Sequence, residues 1–175
     1  MDVTNPALNA IVGGWQVGGI LTAQSGLPGT LGIGGVDNAG TGAGGYDRPI
    51  ATGASPYASN RVPSRWLNLS AFTEAPPGQF GNVGRNTIIG PSLVNFDAQV
   101  HKQFRMPYSE RHLLQLRVEA FNSLNHPNWG MPALNILSGA AQVGQPGTAS
   151  HQNFGVITST AISMRQVQLG IKYMF

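Results

Sequence analysis

Few side chains in this 175-residue sequence are placed to do chemistry. The densest set is Asp97, Gln99, His101, Arg117 and Glu119, which fall on alternate positions of two neighbouring stretches. Such a row can line a path for a polar substrate or form a hydrogen-bonded wall, and mixed charge of this kind favours the wall. His126 and His151 lie near Asn125, Asn128 and Asn153, without the third His or carboxylate that a zinc site needs, so they read as polar loop residues. The run G-I-G-G-V-D-N-A-G-T-G-A-G-G, 32 to 45, lacks the Gly-Lys-Ser/Thr of a phosphate-binding loop and follows no βα unit. It reads as a flexible loop. Trp66, Phe72 and Trp129, with Phe80, either stack on a flat ligand such as a carbohydrate or pin loops to one another. No Ser-His-Asp order, no helical His-Glu-x-x-His and no isolated carboxylate pair is present, so the sequence does not read as an enzyme and calls for no metal or cofactor.

The elements that must hold these residues are strands. Val167, Leu169, Ile171, Tyr173 and Phe175 alternate with Gln166, Gln168, Gly170 and Lys172, a period of two that puts unlike surroundings on the two faces of one strand. Leu114, Leu116, Val118 and Ala120 alternate in the same way with Gln115, Arg117 and Glu119. Val94, Phe96, Ala98 and Val100 alternate with Asn95, Asp97, Gln99 and His101. A weaker case sets Trp15, Val17, Gly19, Leu21 and Ala23 against Gln16, Gly18, Thr22 and Gln24, with Ile20 breaking the polar side. Strands are expected near 15–25, 93–105, 112–122 and 164–175, with long loops over 26–92 and 123–153. Keeping like faces together across the hairpin of the second and third strands puts Asp97 opposite or diagonal to Glu119, with Arg117 nearby.

Only 10 % of the residues are charged, well below the usual quarter or so, which points away from an ordinary solvated surface. Glycine (24) and proline (12) are abundant, yet an apolar fraction of 41 % is too high for a disordered polymer. No run of roughly 18 apolar residues exists, which excludes a helical membrane span. The absence of cysteine removes disulfides and thiolate metal sites. The net charge of +3 comes mostly from eight scattered arginines, not from a block that would track nucleic-acid phosphates.

Alternation alone does not choose a solvent, because a soluble sandwich alternates too. Connection lengths do: Met106 to Arg111 is a tight polar turn, whereas the other two connections are very long. Short turns on one side and long loops on the other describe a transmembrane barrel. In an up-and-down arrangement Trp15, Phe104, Tyr108, Tyr173 and Phe175 share one level at the short-turn end, as an interfacial aromatic girdle would. Lys102 near that end is expected to snorkel its amine to the same layer. The segment Asn5 to Gly14 is expected to be another short-side turn or a brief helix. Even the smallest membrane barrels need about eight strands, so four read as part of a larger wall.

Several pieces, in order, resemble the C-terminal part of the Oar-like TonB-dependent outer-membrane receptors. They are G-G-W-Q-V-G-G-I-L-T-A-Q-S-G-L-P (13 to 28), D-R-P (47 to 49), S-R-W-L-N-L-S-A-F (64 to 72), F-G-N-V-G-R-N-T-I-I-G-P-S-L-V-N-F-D (80 to 97), L-R-V-E-A-F-N-S-L-N-H-P-N-W-G (116 to 130) and the terminal R-Q-V-Q-L-G-I-K-Y-M-F. The resemblance implies an all-β, antiparallel up-and-down partial transmembrane β-barrel, the last four or so of roughly 22 strands, with two long extracellular loops. It implies a plug domain and a TonB-coupling motif outside residues 1–175, a location in the bacterial outer membrane, and uptake of a siderophore, glycan or peptide-type ligand. Gln168, Gly170, Tyr173 and Phe175 resemble the C-terminal signal read by the barrel-assembly machinery, which works by adding an exposed strand edge to a receptor's edge. Expected partners are outer-membrane lipid, that machinery, the rest of the barrel with its plug, and TonB. The rival reading is a soluble or secreted β-rich binding or structural module, which would bury the same apolar faces in a core of its own.

Overall fold

The structure, a computed structural model, describes residues 8, 11–35, 37–42, 47–106, 109–137 and 153–175. Its strands in chain order are β1 (Trp15–Gln24), β2 (Pro28–Gly29), β3 (Ile50–Ala51), β4 (Tyr57–Val62), β5 (Arg65–Leu67), β6 (Phe72–Thr73), β7 (Ile88–Ile89), β8 (Leu93–Met106), β9 (Ser109–Phe121) and β10 (Gln166–Met174). They fall into two compact units. One comprises Met1–Gln24, Val94–Pro127 and Ser163–Phe175, and the other Ser25–Leu93 and Asn128–Ile162.

The first unit is a four-stranded sheet in the order β1-β8-β9-β10. β8 and β9 pair antiparallel with Ala98 opposite Ala120, Val100 opposite Val118 and Phe104 opposite Leu114. β10 continues the same rungs, Val167 on Ala120, Leu169 on Val118, Ile171 on Leu116 and Tyr173 on Leu114. Over these rungs apolar side chains meet apolar neighbours, apart from Lys102, and this matching of cross-strand pairs fixes the register; at the strand ends it lapses, with Leu113 opposite Arg105 and Phe121 opposite Gln166. On the β1 side the Gln103 amide donates to the Gly14 carbonyl at 2.9 Å. Gly19 leaves the room that the Phe96 ring fills, since a Cβ there would stand 2.8 Å from the ring carbons. The sheet is not closed: β1 and β10 are its edges. β8 and β9 run on to Met106 and Ser109, so the hairpin is tighter than the Met106 to Arg111 turn read from sequence. Pairing uses backbone groups, and these continue past the point where the apolar alternation stops. Both long connections leave from the end of the sheet opposite that hairpin. Of the segment Asn5 to Gly14, Leu8, Ile11 and Val12 carry helical backbone.

Among the described residues no second layer covers this sheet within its unit. Val17 is 79 % exposed, Leu169 76 % and Ile171 77 %. Among the described residues the buried apolar core lies in the other unit, where Leu31, Ile33, Leu67, Val83, Ile88, Ile136, Leu137 and Phe154 pack together. The sequence reading treats this region as flexible loop, and the difference has a physical cause. The core is built from single apolar residues dropped into irregular backbone, with no period to reveal them. Ile33 is held by hydrogen bonds from its amide to Asp47 O (2.8 Å) and from Leu137 N to its carbonyl (2.8 Å), and it is fully enclosed. Within the glycine-rich run, then, Ile33 belongs to the core, while residues 36 and 43–46 lie outside the described residues.

Close backbone approach explains part of the glycine content. A Cβ at Gly81 would stand 1.9 Å from the Arg48 carbonyl oxygen, inside any allowed contact, so only glycine lets these two segments meet. Further out, Asp37 wraps the chain after it: its carboxylate accepts from Thr41 N (2.9 Å) and Gly42 N (2.7 Å). Those backbone donors, Thr41 first, hold its carboxyl below the ordinary carboxylate range. The Tyr57 hydroxyl accepts from Ile89 N at 2.8 Å and ties β4 to β7.

This core generates a prediction. Ile33→Ala should cost about 2–5 kcal/mol locally, as large-to-small core changes do. Limited proteolysis of the folded protein should then cut within 31–49 at least several-fold faster than in the parent, and an unchanged cleavage rate would show that the region does not depend on that core.

Candidate functional site

The sheet has two faces of opposite chemistry. On the polar face the rungs are Gln99–Glu119–Gln168, His101–Arg117–Gly170 and Gln103–Gln115–Lys172. Four of the residues singled out from sequence, Gln99, His101, Arg117 and Glu119, thus form one contiguous block. Arg117 Nη1 lies 3.5 Å from Glu119 Oε1, an i,i+2 pair along β9 that is partly open to solvent and worth at most about 1 kcal/mol. Gly170 lies opposite Arg117, where an added Cβ would meet that side chain at ordinary contact distance, 3.8 Å. His101 Nε2 is enclosed and has no hydrogen-bond partner among the described residues.

Asp97 sits one diagonal step beyond this block, and its carboxylate is committed to the strand end. Its Oδ1 accepts from Asn122 N (2.8 Å) and from Asn95 Nδ2 (2.9 Å). Asn122 is the pivot. It has φ +48, in the left-handed region that Asn tolerates, and its buried amide donates to His126 O (3.1 Å) and Ser163 O (3.2 Å) while accepting from His126 N (3.0 Å). Ser123 adds two bonds to Phe96 O, both 2.8 Å, and Asn125 Oδ1 accepts from Arg165 N. The F-N-S-L-N-H stretch is therefore the device that ends β9 and aims the chain toward β10. Asn and Ser at a strand end signal a turn in sequence, but not which strands the turn ties together.

On the apolar face, the end next to the hairpin is ringed by aromatics. Phe104 and Tyr173 flank Leu114 on one rung. Tyr173 stacks on Phe175 (6.3 Å between centroids) and meets His112 (5.7 Å), whose Nδ1 also contacts its hydroxyl. Phe175 is 92 % exposed. Tyr108 lies outside the described residues. Trp15 donates its indole N–H to Ile11 O at 2.8 Å.

Lys102 departs from expectation. Its rung is apolar, yet it is only 5 % exposed. The amine donates to the carbonyls of Ile11 (3.0 Å) and Gly13 and lies over the rings of Trp15 (4.9 Å) and Phe104 (5.3 Å). The chain that precedes β1 supplies acceptors closer than any headgroup, so the cation is capped in place instead of reaching outward. Two carbonyls and two π faces offset the cost of enclosing a charge.

In the loop unit, Trp66 packs against the core, and Phe72 meets Phe154 edge to face (5.9 Å, 74°). Phe80 and Trp129 are exposed, Trp129 bridging to Thr160. Between β4, β5 and the 3₁₀ turn Leu69–Ala71 lies an open depression of about 710 Å³. His126 is exposed, and His151 lies outside the described residues. Among the described residues no cluster of three or more His, Asp or Glu is placed to hold a metal ion, and no helix is long and apolar enough to cross a membrane.

A sheet with one bare apolar face, one polar face and an aromatic rim has the anatomy of a barrel wall. The family model for an outer membrane beta barrel domain matches residues 1–168. The chain belongs to that outer membrane beta barrel family. Neither curated proteins nor solved structures gave a match. As a barrel domain of this family it resides in the bacterial outer membrane, and the apolar strips that a soluble module would bury are here left bare for hydrocarbon.

The two faces of this barrel domain should answer differently to the same charge. Val118→Lys, at the centre of the apolar face, should destabilise the membrane-embedded protein by about 2–4 kcal/mol, the cost of a lipid-facing cation near mid-bilayer. Gln99→Lys, opposite Glu119, should change stability little. Denaturant unfolding in lipid vesicles measures both, and equal effects would mean the faces are wrongly assigned.

Proposed function

We propose that this barrel domain is wall and outer loops of an Oar-like TonB-dependent receptor, a transporter and not an enzyme, taking up a siderophore, glycan or peptide-type ligand. The observation that carries the reading is the pairing of an open four-stranded wall with long connections that condense into a folded unit of their own. A passive small barrel has no use for so large a folded mass on its loops, whereas a receptor that must select a ligand does. The sequence pieces that resemble the Oar-like receptors fit this division: D-R-P (47 to 49) and S-R-W-L-N-L-S-A-F (64 to 72) supply Pro49, Leu67 and Ala71 to the buried interior of the loop unit.

In this reading Gln99, His101, Arg117 and Glu119 face a wet lumen and a plug. Trp15, Phe104, Tyr108, Tyr173 and Phe175 sit at the lipid headgroups, and the open edges of β1 and β10 pair with further strands. An unpaired edge in hydrocarbon would cost several kcal/mol per backbone group, so the wall requires that completion. TonB acts through a coupling motif beyond these residues. The DNA upstream of the codon for Met1 tests the assignment: a continuous frame encoding a plug and earlier strands is expected, and a frame without them removes the receptor reading.

Gln168, Gly170, Tyr173 and Phe175 serve as the signal for the barrel-assembly machinery. Deleting Phe175 from the full-length protein should lower the outer-membrane level of folded, heat-modifiable protein about ten-fold or more, given a one-edge docking step that depends on alternate side chains. Normal levels would leave Phe175 with an interfacial role only.

A further inference from the structure

The depression in the loop unit is lined by both arginines of the β4–β5 hairpin, Arg61 and Arg65, together with Tyr57, Ser59, Leu69 and Phe154, and by no acidic residue. Among the described residues neither guanidinium has a carboxylate partner within salt-bridge distance. The acids of the same unit are occupied elsewhere or stand apart: Asp37 and Asp47 bind backbone amides of Thr41, Gly42 and Ala39, and Glu74 is not part of the lining.

Arg61 is held in place. Its guanidinium lies 4.9 Å from the centroid of the Tyr57 ring and 5.8 Å from that of Trp66, so two aromatic faces hold the planar group without using its hydrogen-bond donors. The Tyr57 ring is itself fixed through its hydroxyl on the Ile89 backbone, and Trp66 packs against the core while its backbone amide donates to Gly155 O (2.8 Å). The far wall is equally tied down. Asn68 caps the 3₁₀ turn by accepting from Ser70, and donates to Ser55 O at 3.0 Å. A volume of this size suits a small molecule, and Leu67, Leu69 and Phe154 add apolar lining to that of the cations.

We propose that this depression binds a small organic anion, a phosphate or carboxylate carried on an aromatic or apolar group, with Arg61 and Arg65 taking the oxyanion. Arginine's fork of donors matches such groups bidentately, and stacking pre-organises one of the two forks. The inference deepens the receptor reading by naming the class of ligand its loops would select.

Calorimetric titration of the full-length protein, purified from outer membranes in detergent, tests it with phenyl phosphate as probe and benzyl alcohol as the neutral control. Saturable binding of phenyl phosphate that weakens with added salt is expected, with none of benzyl alcohol. Arg61→Gln and Arg65→Gln should each weaken it at least ten-fold, Arg61→Lys should restore part of the loss, and Arg85→Gln, outside the depression, should leave it unchanged. Heat-modifiable mobility of each variant shows that it has folded. Absence of saturable binding in the parent, equal weakening by Arg85→Gln, or binding of lipopolysaccharide but not phenyl phosphate would overturn the site. The upstream reading frame is an independent result: a missing plug with binding intact removes the transporter and keeps the site, and the reverse outcome removes only the site.

Discussion

A sheet that shows hydrocarbon on one side and water on the other has no freedom of register. Sliding β9 by one residue against β8 would turn Leu114, Leu116 and Val118 to the polar side and bring Arg117 and Glu119 into lipid. Between the Ala98–Ala120–Val167 rung and the Phe104–Leu114–Tyr173 rung, the observed pairing avoids this at every step of the apolar face but one. At that rung Lys102 sits beside Leu116 and Ile171, and the protein neutralises the misfit locally with the Ile11 and Gly13 carbonyls and the rings of Trp15 and Phe104. The exception thereby becomes a clasp between the start of β1 and the middle of β8.

The wall was legible in the sequence because its determinant is periodic. Alternation in β8, β9 and β10 names the face of each side chain before any coordinate is known, and the short hairpin names the pairing. The polar block of Gln99, His101, Arg117 and Glu119 follows from the same period. The interior of the loop unit left no such trace. Ile33, Ile88, Ile136 and Leu137 come from distant, irregular segments, so no window of sequence contains the pattern that unites them. Lys102 was hidden for a related reason: its acceptors are backbone carbonyls, which every residue possesses and no residue type announces.

Membership of the outer membrane beta barrel family gives the bare apolar face its solvent, and the geometry divides labour between the two units. Regular backbone, matched in period, meets the bilayer. Irregular backbone, with glycine at its closest approaches and Asn or Asp side chains satisfying stray amides, makes the part that varies chemistry. The strand end at Asn122 joins the two regimes, since its left-handed backbone and bidirectional amide stop the ladder abruptly and satisfy both backbone groups of His126 in the turn that follows, and Ser163 O.

The loop unit is discontinuous: Ser25–Leu93 and Asn128–Ile162 contribute to one interior, separated in the chain by the whole β8–β9 hairpin. Its core therefore cannot close until both stretches, one on each side of that hairpin in the chain, are present together, since Leu31, Ile33 and Ile88 come from the first and Ile136, Leu137 and Phe154 from the second. Neither stretch can leave that interior without opening it, so the two connections are fastened to each other although the sequence keeps them far apart.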